Sequence, residues 1–215
     1  MARPDPGKAG SMARDDDGTD WGGRLPLLDP DQLRDDQRER YDGIVQNSVP
    51  WAERAGFRAQ LDDGHLIGPF NGFLHAPGLS QGYGRWIAAE GRNTTLSAEL
   101  REVVILSVGV AWEAAYEIYA HVAVARSVGL DEAVIDGIRR GATTDAFTAE
   151  QAAAHDYSRS LAGSRRVDDA TYRRAVDVLG QQTVVDMTHL VAIYLATSAL
   201  LNAFEVPAPE IPERS

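Results

Sequence analysis

The sequence predicts an all-α, single-domain helical bundle, and three observations carry that prediction. No proline stands between Pro77 and Pro207, so the strongest helix breaker is missing from most of the chain. Helix-starting residues recur inside that stretch, at Ser97, at the Thr148–Gln151 pair and at Asp168 or Asp169. No convincing alternation of apolar and polar residues marks a half-buried strand. "REVVILSVGV" is β-branched enough to pass for a buried strand, but its length and flanking caps favour helix.

Residues 1–23 are rich in Pro, Gly and Asp and nearly free of apolar side chains, which predicts a disordered tail. The folded domain is expected over 24–208, with a second tail over 209–215. Pro30 after Asp29 suits a helix start, and helical patterning continues to about Asn47. From Trp51 to Leu79, Gly64, Gly68, Pro69, Gly72 and Pro77 argue against a long regular helix. Yet Leu66, Ile67, Phe70, Phe73 and Leu74 are apolar, so this loop is expected to pack over the core edge or a pocket.

Leu79–Ala89 reads as a helix ended by Gly91, although Gly82 and Gly84 weaken it. Ser97 caps the next helix, "ELREVVILSVGVAW", with Glu99 and Glu102 in its early turns. "YEIYAHVAVARSVG" follows and stops at Gly129, and "DEAVIDGIRRG" stops at Gly141. The Thr148–Gln151 capping box opens "AEQAAAHDYSRSLAG", and Asp168 or Asp169 opens "ATYRRAVDVLG". The last helix, "QTVVDMTHLVAIYLATSALLNAF", is apolar nearly all round, which predicts a central or subunit-interface position.

Composition removes several chemistries. The chain has no cysteine, which excludes a thiolate nucleophile, a thiol peroxidase cycle and a Cys-based zinc site. Its one lysine, Lys8, lies in the N-terminal tail, so no Schiff-base or phosphate-cradling lysine is expected within the fold. The net charge of −11 repels phosphate backbones and anionic lipid, so no nucleic-acid partner is expected. No uninterrupted apolar run of about 20 residues suggests a membrane span, and no apolar signal core opens the chain, so a cytoplasmic protein is expected.

What remains is proton chemistry. Glu117 and His121 are four residues apart, on one face of a helix, and a carboxylate beside an imidazole fixes its tautomer and raises its basicity. The alternative is an ordinary helix-supporting pair. Glu102, if buried on its apolar helix, would act as a second acid; the alternative is an ion pair to Arg92 or Arg126. Tyr116 and Tyr119 flank the pair and are candidates to orient a carbonyl or carboxylate. Asn71, His75 and Phe70 in the apolar loop, with Trp51, are further candidates for lining a pocket. The spacing fits neither His-x-x-x-His nor Glu-x-x-His, so no metal site is expected. His155 and His189 read as core or interface histidines.

"LREVVILSVGVAWEAAYEIYAHVAVARSVGL", "GPFNGFLHAPGL" and "YLATSALLNAFEVP" together resemble the carboxymuconolactone decarboxylase, or alkyl hydroperoxidase D-like, superfamily in a Cys-less branch. The resemblance covers roughly residues 24–208 and implies that superfamily's helical fold. Its peroxidase members carry a Glu, a Cys-x-x-Cys and a His; laid on this chain these fall on Glu102, on Ala114 and Glu117, and on His121. Without the thiols the resemblance points to the family's cofactor-free decarboxylase and isomerase chemistry. It implies a lyase or isomerase acting on a small oxygenated substrate, lactone or polyketide-derived, with a non-catalytic ligand-binding protein as the alternative. In that reading His121 is the general acid/base, Glu117 its orienting partner and Glu102 a second proton donor or acceptor. Trp51 and the 66–75 loop would help close the pocket. The resemblance also implies self-association, as a dimer, trimer or hexamer, with sites near subunit contacts.

Overall fold

The computed structural model describes residues 20–211, and these form an all-α domain. After a 3-10 turn at Pro30–Gln32 come α1 (Asp35–Ala55), α2 (Pro69–His75), α3 (Pro77–Asn93), α4 (Ala98–Ala111) and α5 (Ala115–Ser127). α6 (Glu132–Arg139), α7 (Ala149–Ser164), α8 (Asp169–Leu179) and α9 (Gln181–Ala203) complete it. The extended backbone includes an isolated antiparallel bridge between Gln60 and Leu66.

The capped helices begin where their caps stand. Ser97 Oγ accepts from the Leu100 amide, and Thr148 and Gln151 close both halves of their capping box. Asp168, rather than Asp169, takes the amides of Ala170 and Thr171. The earlier helices depart from the sequence reading. α1 does not stop near Asn47 but runs through Pro50 to Ala55, ending at Gly56 with φ 90°. Pro50 forfeits one intrahelical bond, while Ile44, Val49 and Ala52 bury that face and keep it helical. α3 begins at Pro77 rather than Leu79 and passes Gly91 to Asn93. Pro69 and Pro77 open α2 and α3 at the helix N-terminus, where a missing N–H costs nothing.

The boundary placed at residue 23 also needs correction. Trp21 is buried, and the Arg24 amide bonds the Phe204 carbonyl. Gly23, at φ 63°, lies so close to Phe204 and Glu205 that a Cβ would stand 2.4 Å from either carbonyl oxygen. The packed chain thus starts before Arg24 because Trp21 supplies apolar area and Gly23 permits the close approach. Residues 1–19 of the expected tail lie outside the described residues, as do 212–215. Ile211, assigned to the C-terminal tail, packs against the core.

The core has two parts. One gathers α4, α6, α7 and α9; the other gathers α1, α2, the loop around Leu66 and the N-terminal segment. α5 joins them: Val122 and Ala125 enter the first, while Tyr116, Tyr119, Ala120 and Val124 enter the second. At roughly 100° per residue, Glu117 and His121 fall on the stripe between those two faces. The polar pair therefore sits on the seam of the core. α9 is long and apolar enough to cross a bilayer by length and composition, and 44% of its most apolar window is buried within the fold. Thr, Ser and Asn interrupt its apolar run without lowering its mean hydropathy below that threshold.

Candidate active site

α4 and α5 pack against each other and bring three titratable side chains together. His121 Nδ1 lies 2.7 Å from Glu102 Oε2, a hydrogen bond from one helix to the next. On the other side of the ring, His121 Nε2 lies 3.4 Å from Glu117 Oε1. That second contact is within ion-pair range but not aligned as a hydrogen bond, so Glu117 Oε1 keeps no hydrogen-bond partner. All three residues are buried. Gly109 of α4 makes room for the cluster, since a Cβ there would approach Glu117 Cγ to 3.3 Å.

The arginines nearest in sequence have carboxylate partners outside the cluster. Arg126 pairs with Glu132, Nε to Oε1 at 2.8 Å, and Arg101 pairs with the buried Glu90. Glu102 has His121 as its ion-pair partner, where the sequence left an arginine such as Arg92 or Arg126 as the alternative. Burial dominates at Glu117 and pushes its pKa up to about 7; His121 opposes the rise and Glu102 adds to it. At His121, burial works against the imidazolium, but the carboxylates of Glu102 and Glu117 outweigh it and raise the pKa. The 2.7 Å bond commits Nδ1 as a donor to Glu102, leaving Nε2 and Glu117 to share a proton close to neutrality. Among the described residues, no group of three or more His, Asp or Glu side chains is arranged to hold a metal ion.

The other candidates are placed differently. Tyr116 donates to the Arg58 carbonyl at 2.5 Å, and Tyr119 accepts from the Arg58 amide at 2.8 Å, so both hydroxyls anchor the chain after α1. Asn71 is buried and clamps residues 25–28: its Oδ1 accepts from the Leu28 amide at 3.1 Å and its Nδ2 reaches the Pro26 carbonyl at 3.3 Å. His75 Nε2 contacts that same carbonyl at 2.9 Å. Phe70 is buried against Phe73, and Trp51 stacks edge-on with Phe57 while 38% exposed. None of these six candidates makes a described hydrogen bond or ring contact with Glu102, Glu117 or His121.

Tyr194, which sequence reasoning missed, does. Its ring meets His121 edge-to-face, with centroids 5.0 Å apart and an interplanar angle of 89°. Nothing distinguishes it in a helix apolar nearly all round. Two clefts lie elsewhere. One of about 370 Å³ includes Ser107, His155 and Arg159, and one of about 410 Å³ is lined by Trp86, Val185, Thr188, His189 and Ala192. His155 bonds Ser107 Oγ through Nδ1 at 2.8 Å, and burial lowers its pKa to about 4.

Residues 77–157, which hold Glu102, Glu117 and His121, match the carboxymuconolactone decarboxylase family. Among solved structures, a peroxidase-related protein with an alkylhydroperoxidase AhpD core, from Ralstonia eutropha, superposes with a TM-score of 0.66 at 17% identity, over 87% of this chain and 92% of its own. An uncharacterized peroxidase-related protein from Silicibacter gives 0.65 at 15%, over 92% and 95%. The debrominase Bmp8, in complex with 2,3,4-tribromopyrrole, gives 0.64 at 14%, over 79% and 88%. At such identities the likeness is one of fold. No curated protein matches the chain.

Proposed function

We infer that this chain, of the carboxymuconolactone decarboxylase and alkyl hydroperoxidase D-like superfamily, is a cofactor-independent acid–base catalyst. The reaction proposed is that of a lyase or isomerase, moving a proton at a carbon beside a carbonyl in a small oxygenated substrate such as a lactone or polyketide-derived molecule. One observation carries the reading: a buried imidazole stands between two carboxylates, one of which titrates near neutral pH. The thiol peroxidase cycle is closed to a chain with no cysteine.

In this mechanism Glu117 and Nε2 of His121 form the proton-transferring unit, and Glu102 holds Nδ1–H and steadies the imidazolium. That reverses the parts the sequence suggested for the two carboxylates, because the shorter and better-formed bond belongs to Glu102. The unit removes a proton from the carbon next to the carbonyl; the C–H electron pair becomes the enolate double bond and the carbonyl π pair moves to oxygen. Returning the proton at another carbon isomerises the substrate. Where a carboxylate is the leaving group instead, the C–C pair forms the enolate, CO2 departs, and the unit delivers a proton to carbon.

The test uses acetoacetate and α-angelica lactone in D2O, followed by proton NMR and CO2 release. Deuterium entry or turnover that disappears in both Glu117→Gln and His121→Ala supports the reading. No exchange above the uncatalysed rate with either probe would turn the assignment to the second reading, a small-ligand-binding protein of the same fold. That reading has one observation in its favour: neither of the two clefts described is lined by Glu102, Glu117 or His121.

A further inference from the structure

The tyrosines of α3, α5 and α9 differ in what their hydroxyls are free to do. Tyr116 and Tyr119 are buried and spend theirs on the backbone of Arg58. Tyr83, reaching from α3, gives its hydroxyl to the Ile193 carbonyl at 2.8 Å and meets Thr197 Oγ1. Tyr194 is the exception. Its ring lies against His121, it keeps part of its surface, and its hydroxyl makes no hydrogen bond among the described residues. The Tyr194 hydroxyl is not among the buried atoms left without a partner, so it remains accessible and free to donate to a bound molecule.

We propose that Tyr194 is a catalytic residue whose O–H donates to the substrate's carbonyl oxygen as that oxygen gains negative charge. The proposal rests on the acid–base reading of Glu117 and His121 and adds the substrate's orientation to it. The reacting carbon faces Glu117 and Nε2 of His121, and the adjacent carbonyl oxygen faces α9. The substrate class narrows accordingly, to molecules whose carbonyl is one bond from the reacting carbon. The phenol stays protonated throughout; burial, then the carboxylates of Glu117 and Glu102, hold its pKa well above the ordinary tyrosine value. It therefore works as a fixed dipole, not as a proton donor, and needs no reorganisation as charge develops.

Tyr194→Phe keeps the ring against His121 and removes one oxygen. With acetoacetate and α-angelica lactone in D2O, the variant is expected to lose roughly 100- to 1,000-fold in kcat, as removal of an oxyanion donor does elsewhere, with a smaller change in KM. The pH profile set by Glu117 and His121 should keep its shape. Wild-type rates in Tyr194→Phe, with Glu117→Gln inactive, would overturn the Tyr194 assignment and leave the acid–base reading standing. A shifted pH profile with unchanged kcat at its optimum would also overturn it, reducing Tyr194 to a packing neighbour of His121. No exchange by the wild-type chain on either probe would overturn both together.

Discussion

Glu102 on α4 and His121 on α5 stand 2.7 Å apart, carboxylate oxygen to Nδ1, with both side chains largely buried. The contact joins two helices inside the core, so it is a structural bond as well as a chemical one. Glu102→Ala leaves a buried imidazole without its acceptor, and breaking one partner of such a pair costs about 3–5 kcal/mol. Urea denaturation should show a lower midpoint with an unchanged slope. Glu102→Gln, which retains an acceptor oxygen, should lose less. A wild-type midpoint in Glu102→Ala would mean that the two side chains do not support the fold.

The second prediction concerns pH and Glu117. Its pKa is near 4.5 when unfolded and about 7 in the fold, so between those values the native state binds a proton that the unfolded chain has lost. Stability from this group is therefore complete below the unfolded value and falls as pH rises toward 7. A shift of that size corresponds to roughly 3 kcal/mol. His121, also raised, acts in the same direction at higher pH: its contribution is present below the unfolded value and lost through the folded one. Glu117→Gln should thus raise Tm relative to wild type at pH 8 and lose that advantage by pH 5. A constant difference in Tm across this range would contradict the raised pKa.

The third prediction tests the loop that backs α5. Gly68 has φ 62° and ψ −145°, and a Cβ there would fall 2.2 Å from the Tyr116 ring. Tyr116 is fully buried and tethered to Arg58, so it has no room to retreat. Gly68→Ala combines backbone strain with that overlap and should cost at least about 3 kcal/mol. Loss of near-ultraviolet dichroism around the tyrosines would accompany it. Unaltered thermal stability would show that the loop yields more readily than its packing suggests.

How much of this was legible depends on whether the cause is local. Ser97, Thr148 with Gln151, and Asp168 each satisfy amides within three residues, so the starts of α4, α7 and α8 are written in the sequence. The shared face of Glu117 and His121 is local too, fixed by helix geometry. The approach of Glu102 is not: it depends on how α5 rotates against α4, which the two core faces of α5 and the absent side chain at Gly109 decide. The course of α1 through Pro50 and the docking of Trp21 likewise depend on burial against distant segments. Tyr194 was hidden because α9 has no polar face against which one tyrosine would stand out.

The last prediction concerns assembly, which the apolar character of α9 suggested from sequence. Val185 remains 42% exposed and Trp86 39%, and together with Thr188, His189 and Ala192 they line a cleft of about 410 Å³. The Trp86 and His189 rings meet edge-to-face across α3 and α9, at 6.3 Å between centroids, so the patch joins both helices. We propose that a second copy of this chain covers it. Two chains of net charge −11 repel at long range, and an apolar contact of this kind offsets that repulsion at short range. A two-fold arrangement would place the same patch on both sides of the contact. Sedimentation velocity should therefore show an oligomer that grows in population with added salt, which screens the charge. Trp86→Glu combined with Val185→Glu adds a like charge at each side of the contact and should return the chain to monomer without lowering its Tm in dilute solution. A wild-type chain that sediments as a monomer at every salt concentration would remove α9 as an assembly surface.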